Sequence, residues 1–511
     1  MLRKTNRTMS ALVCIVLLAC IWALPSSARE NERVADRFEV VRDDPVLLRR
    51  FLSNFPKGAD LHSHIDGAVY AENLIKWAAE DGKCVELSSG AFTAPPCSAD
   101  DGRPTVSSIQ SDGDVVNSIV DALSTRNYER RPVSGHNQFF STFEKIMPAT
   151  IGREGDMLAE VSARAARQNL QYLELMQSWA MGSAMALAER DTSIRSGKSL
   201  ESLIVNEGLT KLVEEALEQT DRIEQRRNEI LQCGTEMADP GCNVTIRYLA
   251  QVIRTLPRDQ VLAQTLLAFR LVQADERYVG LNFVAPEDHP LTLANYEWQM
   301  SIVGGLNNIL PEVANGISLH AGELTLGLVP PEHLGWHIRE AVYVAKAKRI
   351  GHGTDIAYDP DAESLLGYMA AQGILVEVNV TSAEVILGVK GSEHPYALYK
   401  RHNVPMALST DDEGVSRIDI TNEYKKAVET LAIGYSELKE LSRNSLQYSF
   451  LSGGSLFEEY RELRVVEPCR RDLEAGREPS SQCRLYLEES DKAAEQWSLE
   501  RRFIEFEGQF E

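Results

Sequence analysis

Gly58-Ala59-Asp60-Leu61-His62-Ser63-His64 is a short, mostly apolar run that ends on two histidines two residues apart. In an extended chain that spacing turns both imidazoles to one face, and two imidazoles at one point suit a transition metal. Taken alone, the pair reads equally well as a surface loop with two titrating side chains. Three later runs of the same build give it weight. Ser318-Leu319-His320-Ala321-Gly322-Glu323, Arg349-Ile350-Gly351-His352-Gly353 and Leu408-Ser409-Thr410-Asp411-Asp412 each pass from apolar residues to a chemically capable side chain beside a small or turn-forming one.

Around these runs the chain alternates. Strand-like stretches fall at 58–61, 171–176, 244–253, 278–284, 316–319, 349–351, 374–380 and 404–409. Helical patterns lie between them, among others at 153–168, 202–229, 257–274 and 332–346. Eight strand–helix repeats predict an α/β fold, a (β/α)8 TIM barrel. A doubly wound open sheet would show the same alternation. The reactive side chains at four strand ends favour the barrel, whose chemistry sits at that face. Residues 81–137, rich in Gly, Pro, Ser and Asp, read as an insertion after strand 1 that covers the barrel mouth. The barrel then spans 58–460, preceded by a segment at 29–57 and followed by a charged C-terminal extension at 461–511.

The first residues read as a targeting segment. Arg3, Lys4 and Arg7 precede an apolar run of 14 residues, Ala11 to Leu24, and Ser26-Ser27-Ala28 supplies small residues for cleavage. That run is short for a membrane span and suits a signal peptide at 1–28; Leu17-Leu18-Ala19-Cys20 offers a lipoprotein site as the second reading. Either way the chain is exported, to a periplasm or beyond the cell, and is soluble once a signal is cleaved. The six cysteines past this segment fall in three close pairs, Cys84/Cys97, Cys233/Cys242 and Cys469/Cys483, which predicts three local disulfides. The net charge of −22 excludes a polyanion such as nucleic acid as the natural partner.

The motif His62-Ser63-His64-Ile65-Asp66-Gly67-Ala68 resembles the opening motif of the adenosine deaminase family, within the metal-dependent hydrolases. His320-Ala321-Gly322-Glu323, Gly351-His352-Gly353 and Ser409-Thr410-Asp411-Asp412 resemble that family's later motifs, in the same order. The likeness runs from about Pro56 to Leu451; the export and cysteines are most similar to the secreted, growth-factor-type branch, while the His-x-His-x-Asp-Gly-Ala opening is closer to the classical branch.

The resemblance implies that His62, His64, His320 and Asp411 hold one zinc ion, one protein ligand more than catalytic zinc usually has. It implies that His352 orients the attacking water and that Glu323 protonates the purine at N1. It further implies that Asp412 accepts a hydrogen bond from the purine and that Asp66 holds a ribose hydroxyl. The family's glycine after the fourth strand is here Ala285, whose backbone would contact the base. The implied activity is deamination of adenosine and 2′-deoxyadenosine to the inosine product and ammonia. Deamination of another aminopurine such as adenine, or nucleoside binding for signalling, are the rival readings. The partner is then a small purine nucleoside, and the resemblance leaves room for a homodimer. The zinc deaminases with a H-x-E and P-C-x-x-C signature are a different class, and that signature is absent. The remaining histidines, His136, His289, His333, His337, His394 and His402, read as surface or internally satisfied side chains.

Overall fold

Eight parallel strands form the centre of the molecule, which the computed structural model describes over residues 26–196 and 198–510. They are β1 (Gly58–His64), β2 (Leu170–Gln177), β3 (Thr245–Ile253), β4 (Tyr278–Val284), β5 (Ser318–Ala321), β6 (Arg349–His352), β7 (Leu375–Val378) and β8 (Met406–Leu408). β1 to β4 pair in sequence order, as do β5 to β8, and every pairing is parallel. Two parallel bridges, Leu281 with Ile317 and Ser63 with Asp411, join the two half-sheets into a closed (β/α)8 barrel. Closure removes every sheet edge.

The strands are buried on both faces, as a sheet sheathed in helices requires. Two stretches, at 374–380 and 332–346, depart from the sequence reading. The strand expected at 374–380 stops at Val378, and Val380–Leu387 is a helix. The β-branched Val380-Thr381 hides this turn, which is held by Thr381 N donating to Glu423 Oε2 at 3.0 Å. The helical stretch at 202–229 is a pair, Leu200–Ile204 and Glu207–Ile230, with Asn206 capping the second by accepting from Gly208 N and Leu209 N. The helix expected at 332–346 covers only His337–Tyr343, because Gly335 takes a left-handed φ of 78° just before it.

The first-strand insertion is more ordered than its composition suggests. It contains a small hairpin, Cys84–Val85 with Phe92–Thr93, and the helix Gly113–Ala122. The helix Gly135–Thr150 follows and lies on Val380–Leu387, with Phe139, Ile386 and Val415 packed together. His136 reaches the loop after β4, its Nε2 3.1 Å from Asp288 Oδ1. The three local cysteine pairs are joined as disulfides. Most of the segment read as a signal peptide lies outside the described residues; residues 26–28 open the helix Ser26–Val41. Among the described residues no helix is long and apolar enough to cross a membrane.

The N-terminal end of the barrel is closed by both chain ends. Phe51 and Phe55 meet Phe506 and Phe503 of the last helix, Asp491–Gly508, at ring distances of 5.3 and 5.6 Å. Lys57 is fully buried just before β1, and its Nζ donates to the carbonyls of Leu52 (2.7 Å), Phe55 (2.9 Å) and Gln168 (2.8 Å). Three carbonyl oxygens thus take the three ammonium protons, although burial pushes this lysine down to about 7. Lys57→Met would leave three buried carbonyls without this donor. We expect a loss of about 3 kcal/mol or more in denaturant unfolding, with metal content of the folded fraction unchanged.

Candidate metal centre

The closing bridge of the barrel carries the site. Asp411 N donates to His62 O (2.8 Å) and His64 N donates to Asp411 O (3.0 Å). This fixes both imidazoles of β1 beside the Asp411 carboxylate at the end of β8. His320, at the third position of β5, comes from the opposite half-sheet. The four donor atoms converge. Nε2 of His320 lies 3.1 Å from Nε2 of His62 and 3.3 Å from that of His64, and Asp411 Oδ1 lies 3.4 and 3.2 Å from the same two. Donors about 2.0–2.1 Å from a common ion at tetrahedral angles stand roughly 3.3 Å apart. The cluster therefore has the dimensions of a mononuclear site for a small divalent metal.

The tautomers agree with this. Each Nδ1 faces an acceptor: Glu377 Oε2 for His62 (2.6 Å), Gln251 Oε1 for His64 (2.6 Å) and Asn282 Oδ1 for His320 (2.8 Å). His320 N also donates to Asn282 Oδ1, at 3.0 Å, which settles the orientation of that amide. Protons on Nδ1 leave three Nε2 lone pairs aimed at one point, an arrangement that a cation relieves. Without one, burial opposes a charge on His62, but Asp411 and Glu377 outweigh it and raise the imidazole to about 10. Burial, with His62, His352 and His64 adjacent, holds His320 well below the usual value. Metal uptake displaces the proton on His62.

The other residues singled out in the sequence lie around this point. Glu323 is buried, its Oε1 3.7 Å from Nδ1 of His352, and Asp411 offers an oxygen within 4.8 Å of both. Burial and then the Asp411 charge raise the Glu323 carboxyl well above the usual range. Burial lowers His352 to about 3, so its ring is neutral, and its Nε2 has no partner. Asp412 is raised well above the usual range by burial and by Asp411. Its Oδ1 is also unpartnered, and it lies so close over Gly67 that a Cβ there would stand 1.6 Å away. Asp66 is partly buried on the short helix after β1, and burial raises it to about 6 against the opposing pull of His64. Ala285 adopts φ 82°, the conformation a glycine takes without strain. With His352 (φ 66°) and Asp411 (φ 61°), three non-glycine residues at strand ends are left-handed here, a concentration of backbone strain found at functional sites.

These features coincide with a match to the family model described as adenosine deaminase, over residues 156–457, more than half of the chain. The chain belongs to the adenosine deaminase family. The matched span holds His320, Glu323, His352, Asp411 and Asp412, and begins after His62, His64 and Asp66; the barrel brings those three to the others. Curated relatives include an adenosine deaminase of Clostridium perfringens, 33% identical over 137 residues, 27% of this chain and 38% of that protein. Another is the aminodeoxyfutalosine deaminase of Streptomyces coelicolor, 36% identical over 133 residues, 26% of this chain and 32% of that one. The chain thus spans little more than a third of the length of the curated family relatives it matches. Among solved structures, the Arabidopsis N6-mAMP deaminase aligns over 81% of this chain and 98% of its own, with TM-score 0.51 and 20% identity. The Arabidopsis ADAL complexed with GMP aligns over 81% and 96%, with TM-score 0.50 and 20% identity. At that identity the likeness concerns the barrel fold.

The sequence reading missed the residues that orient the ligands. Glu377, Gln251 and Asn282 lie inside strands, where polar side chains among apolar neighbours were the one available signal. Ser382, whose Oγ lies 2.6 Å from Asp411 Oδ2, was hidden by the misplaced end of β7. Elemental analysis should find about one metal ion per chain, and His320→Ala should abolish it. Asn282→Ala should keep the ligands but lower metal affinity about 10–100-fold in a chelator competition. Two tightly held ions per chain would contradict the mononuclear geometry.

Proposed function

We propose that this protein is a zinc-dependent hydrolase that converts adenosine and 2′-deoxyadenosine to their inosine products and ammonia, outside the cytoplasm. The observation that carries the reading is a buried carboxyl, Glu323, whose Oε1 lies 3.7 Å from Nδ1 of His352 beside a four-donor metal site, with burial and Asp411 raising it well above the usual range. Three histidines and a carboxylate suit zinc. A zinc ion supplies Lewis acidity that brings the pKa of a water toward about 7.

The chain's own groups account for the rest. Glu323 gives its proton to ring nitrogen N1, which makes C6 electrophilic. His352, neutral and with a free Nε2, takes the proton of the attacking water as its oxygen bonds to C6 and passes it to the amine, so that the C6–N bond breaks with ammonia leaving and the remaining hydroxyl proton returns to Glu323. Asp412 was expected to accept a hydrogen bond from the purine. Burial and the Asp411 charge raise its carboxyl, and N7 of an adenine is itself an acceptor, which supports a donating role for Asp412 in this reading. The amide of Ala285 meets the opposite edge of the base, and Asp66 takes a sugar hydroxyl. Export is supported by the sequence of residues 1–28 and by three disulfides, which persist in oxidising compartments.

Loss of absorbance at the adenine band, followed with adenosine, 2′-deoxyadenosine, adenine and AMP, tests the reading. We expect turnover of the two nucleosides; turnover of adenine or AMP alone would replace it. Glu323→Gln should retain metal and nucleoside binding but lose about 10²–10⁴ in kcat. The reaction uses the protonated acid, so the wild-type rate should fall on the alkaline side, as pH rises through the raised Glu323 value.

A further inference from the structure

A second buried carboxylate stands behind the acid. Glu287 lies on the loop after β4, 1% exposed, two residues beyond Ala285. Its Oε1 accepts the amide of Gly322 at 3.0 Å, and its Oε2 accepts the amide of Glu323 at 2.8 Å. His337 Nδ1 closes on Oε1 at 2.5 Å, and its ring stacks on Tyr296 at 3.9 Å and 8°. Arg254, from the end of β3, places Nη2 3.9 Å from Glu287 Oε2. The same guanidinium donates to the carbonyls of Ala285 (2.8 Å) and His320 (3.0 Å). Arg254, Glu287 and His337 are all fully buried. None of the three was singled out in the sequence; His337 reads there as an ordinary histidine.

We propose that Glu287 is the positioning residue of the catalytic acid: its two carboxylate oxygens hold the Gly322–Glu323 amides and so aim the Glu323 side chain at the substrate. The proposal rests on the reading of Glu323 as the proton donor. The geometry requires a carboxylate. Two backbone N–H groups arrive at two different oxygens, and only an ionised carboxyl offers acceptors at both. A glutamine would turn an NH2 toward one of those amides. Burial works against the ionised form, but His337, Arg254 and the Gly322 amide outweigh it and lower Glu287 to about 2. Because Arg254 also grips Ala285, one cluster sets both the acid and the backbone expected to meet the base. A misplacement of about 1 Å at such a point costs on the order of 10²-fold in rate.

A double-mutant cycle tests this on the metal-loaded full chain with adenosine. Glu287→Gln should lower kcat about 10–10²-fold while KM changes by less than about threefold and metal content stays near one ion per chain. The same change placed in Glu323→Gln should lower kcat by less than about threefold more, because the group being positioned is already gone. Glu287→Asp, which restores the charge, should recover part of the loss. Amide hydrogen exchange of 320–326 should quicken in Glu287→Gln while 349–352 stays as in the wild type. Equal losses in both backgrounds, loss of metal, or unchanged exchange at 322 and 323 would overturn the proposal. Should Glu287→Gln fail to fold, His337→Gln, which loosens the same carboxylate, takes its place in the cycle. If the wild type deaminates no aminopurine, the functional reading fails, and the exchange measurement alone decides whether Glu287 holds the loop.

Discussion

Two backbone hydrogen bonds, Asp411 N to His62 O and His64 N to Asp411 O, join the last strand to the first. Barrel closure and site assembly are the same event, because the residues that make the bridge belong to the four-donor cluster or flank it. Strand side chains alternate, so a slip of one residue at this seam would turn both histidines of β1 to the other face and bring Ser63 forward in their place. The seam is reinforced from within the barrel. Asp60 accepts from Thr410 Oγ1 at 2.6 Å and from His62 N at 3.2 Å, spanning the same two strands just below the site. The left-handed backbone of Asp411 is the local cost, and it lets one residue bond to both sides of a β1 peptide while its carboxylate faces inward.

Beneath the histidines lies a chain of buried charge. Arg349 contacts Glu377 and Glu174 at 2.6 Å each, none of the three side chains exposed, and its guanidinium lies 3.8 Å over the ring of Phe450. Buried ion pairs seldom stabilise a fold more than apolar packing would, so the arrangement calls for another reason. Glu377 supplies it: burial would neutralise this carboxyl, and Arg349 and His62 keep it ionised. An ionised Glu377 holds the proton of His62 on Nδ1 and frees Nε2 for the metal. Ser318 ties the same carboxylate to β5 by donating to Oε1 at 2.9 Å, while accepting from Asn282 Nδ2 at 3.2 Å. Two of the three histidine orientations are thus set by one connected network.

How much of this could be read in the sequence follows from the length scale of each feature. The four strand-end motifs are local in sequence, and the barrel, the four side chains that converge on one point and the disulfide pairs were legible there. Element ends were less so, because Val380-Thr381 has strand character by composition and a helix start only through contact with Glu423. The orienting groups were not legible. Glu377 acts on His62 across 315 residues, Gln251 on His64 across 187 and Glu287 on Glu323 across 36. A polar residue inside a strand signals that it has a partner, but only the closed barrel names that partner.

The site separates carboxyl groups that are close in space and, for Asp411 and Asp412, adjacent in sequence. Asp411 faces His62 and His64 and is held well below the ordinary range against the cost of burial. Asp412 and Glu323 face Asp411, and burial together with its charge raises both carboxyls well above the ordinary range. Glu287, gripped by His337, Arg254 and two amides, is ionised again. Such splitting of like groups by environment is how one pocket holds both acids and bases near neutrality. The ionised members sit where cations or amide protons meet them, whereas the raised Asp412 keeps an oxygen without a hydrogen-bond partner. An adenine base offers two ring nitrogens as acceptors on that side and carries no charge, which matches two neutral donors better than two anions. The pairing of Asp411 with Asp412 makes this self-consistent: the charge that completes the four-donor cluster is also the charge that raises the carboxyls of its neighbour and of Glu323 opposite.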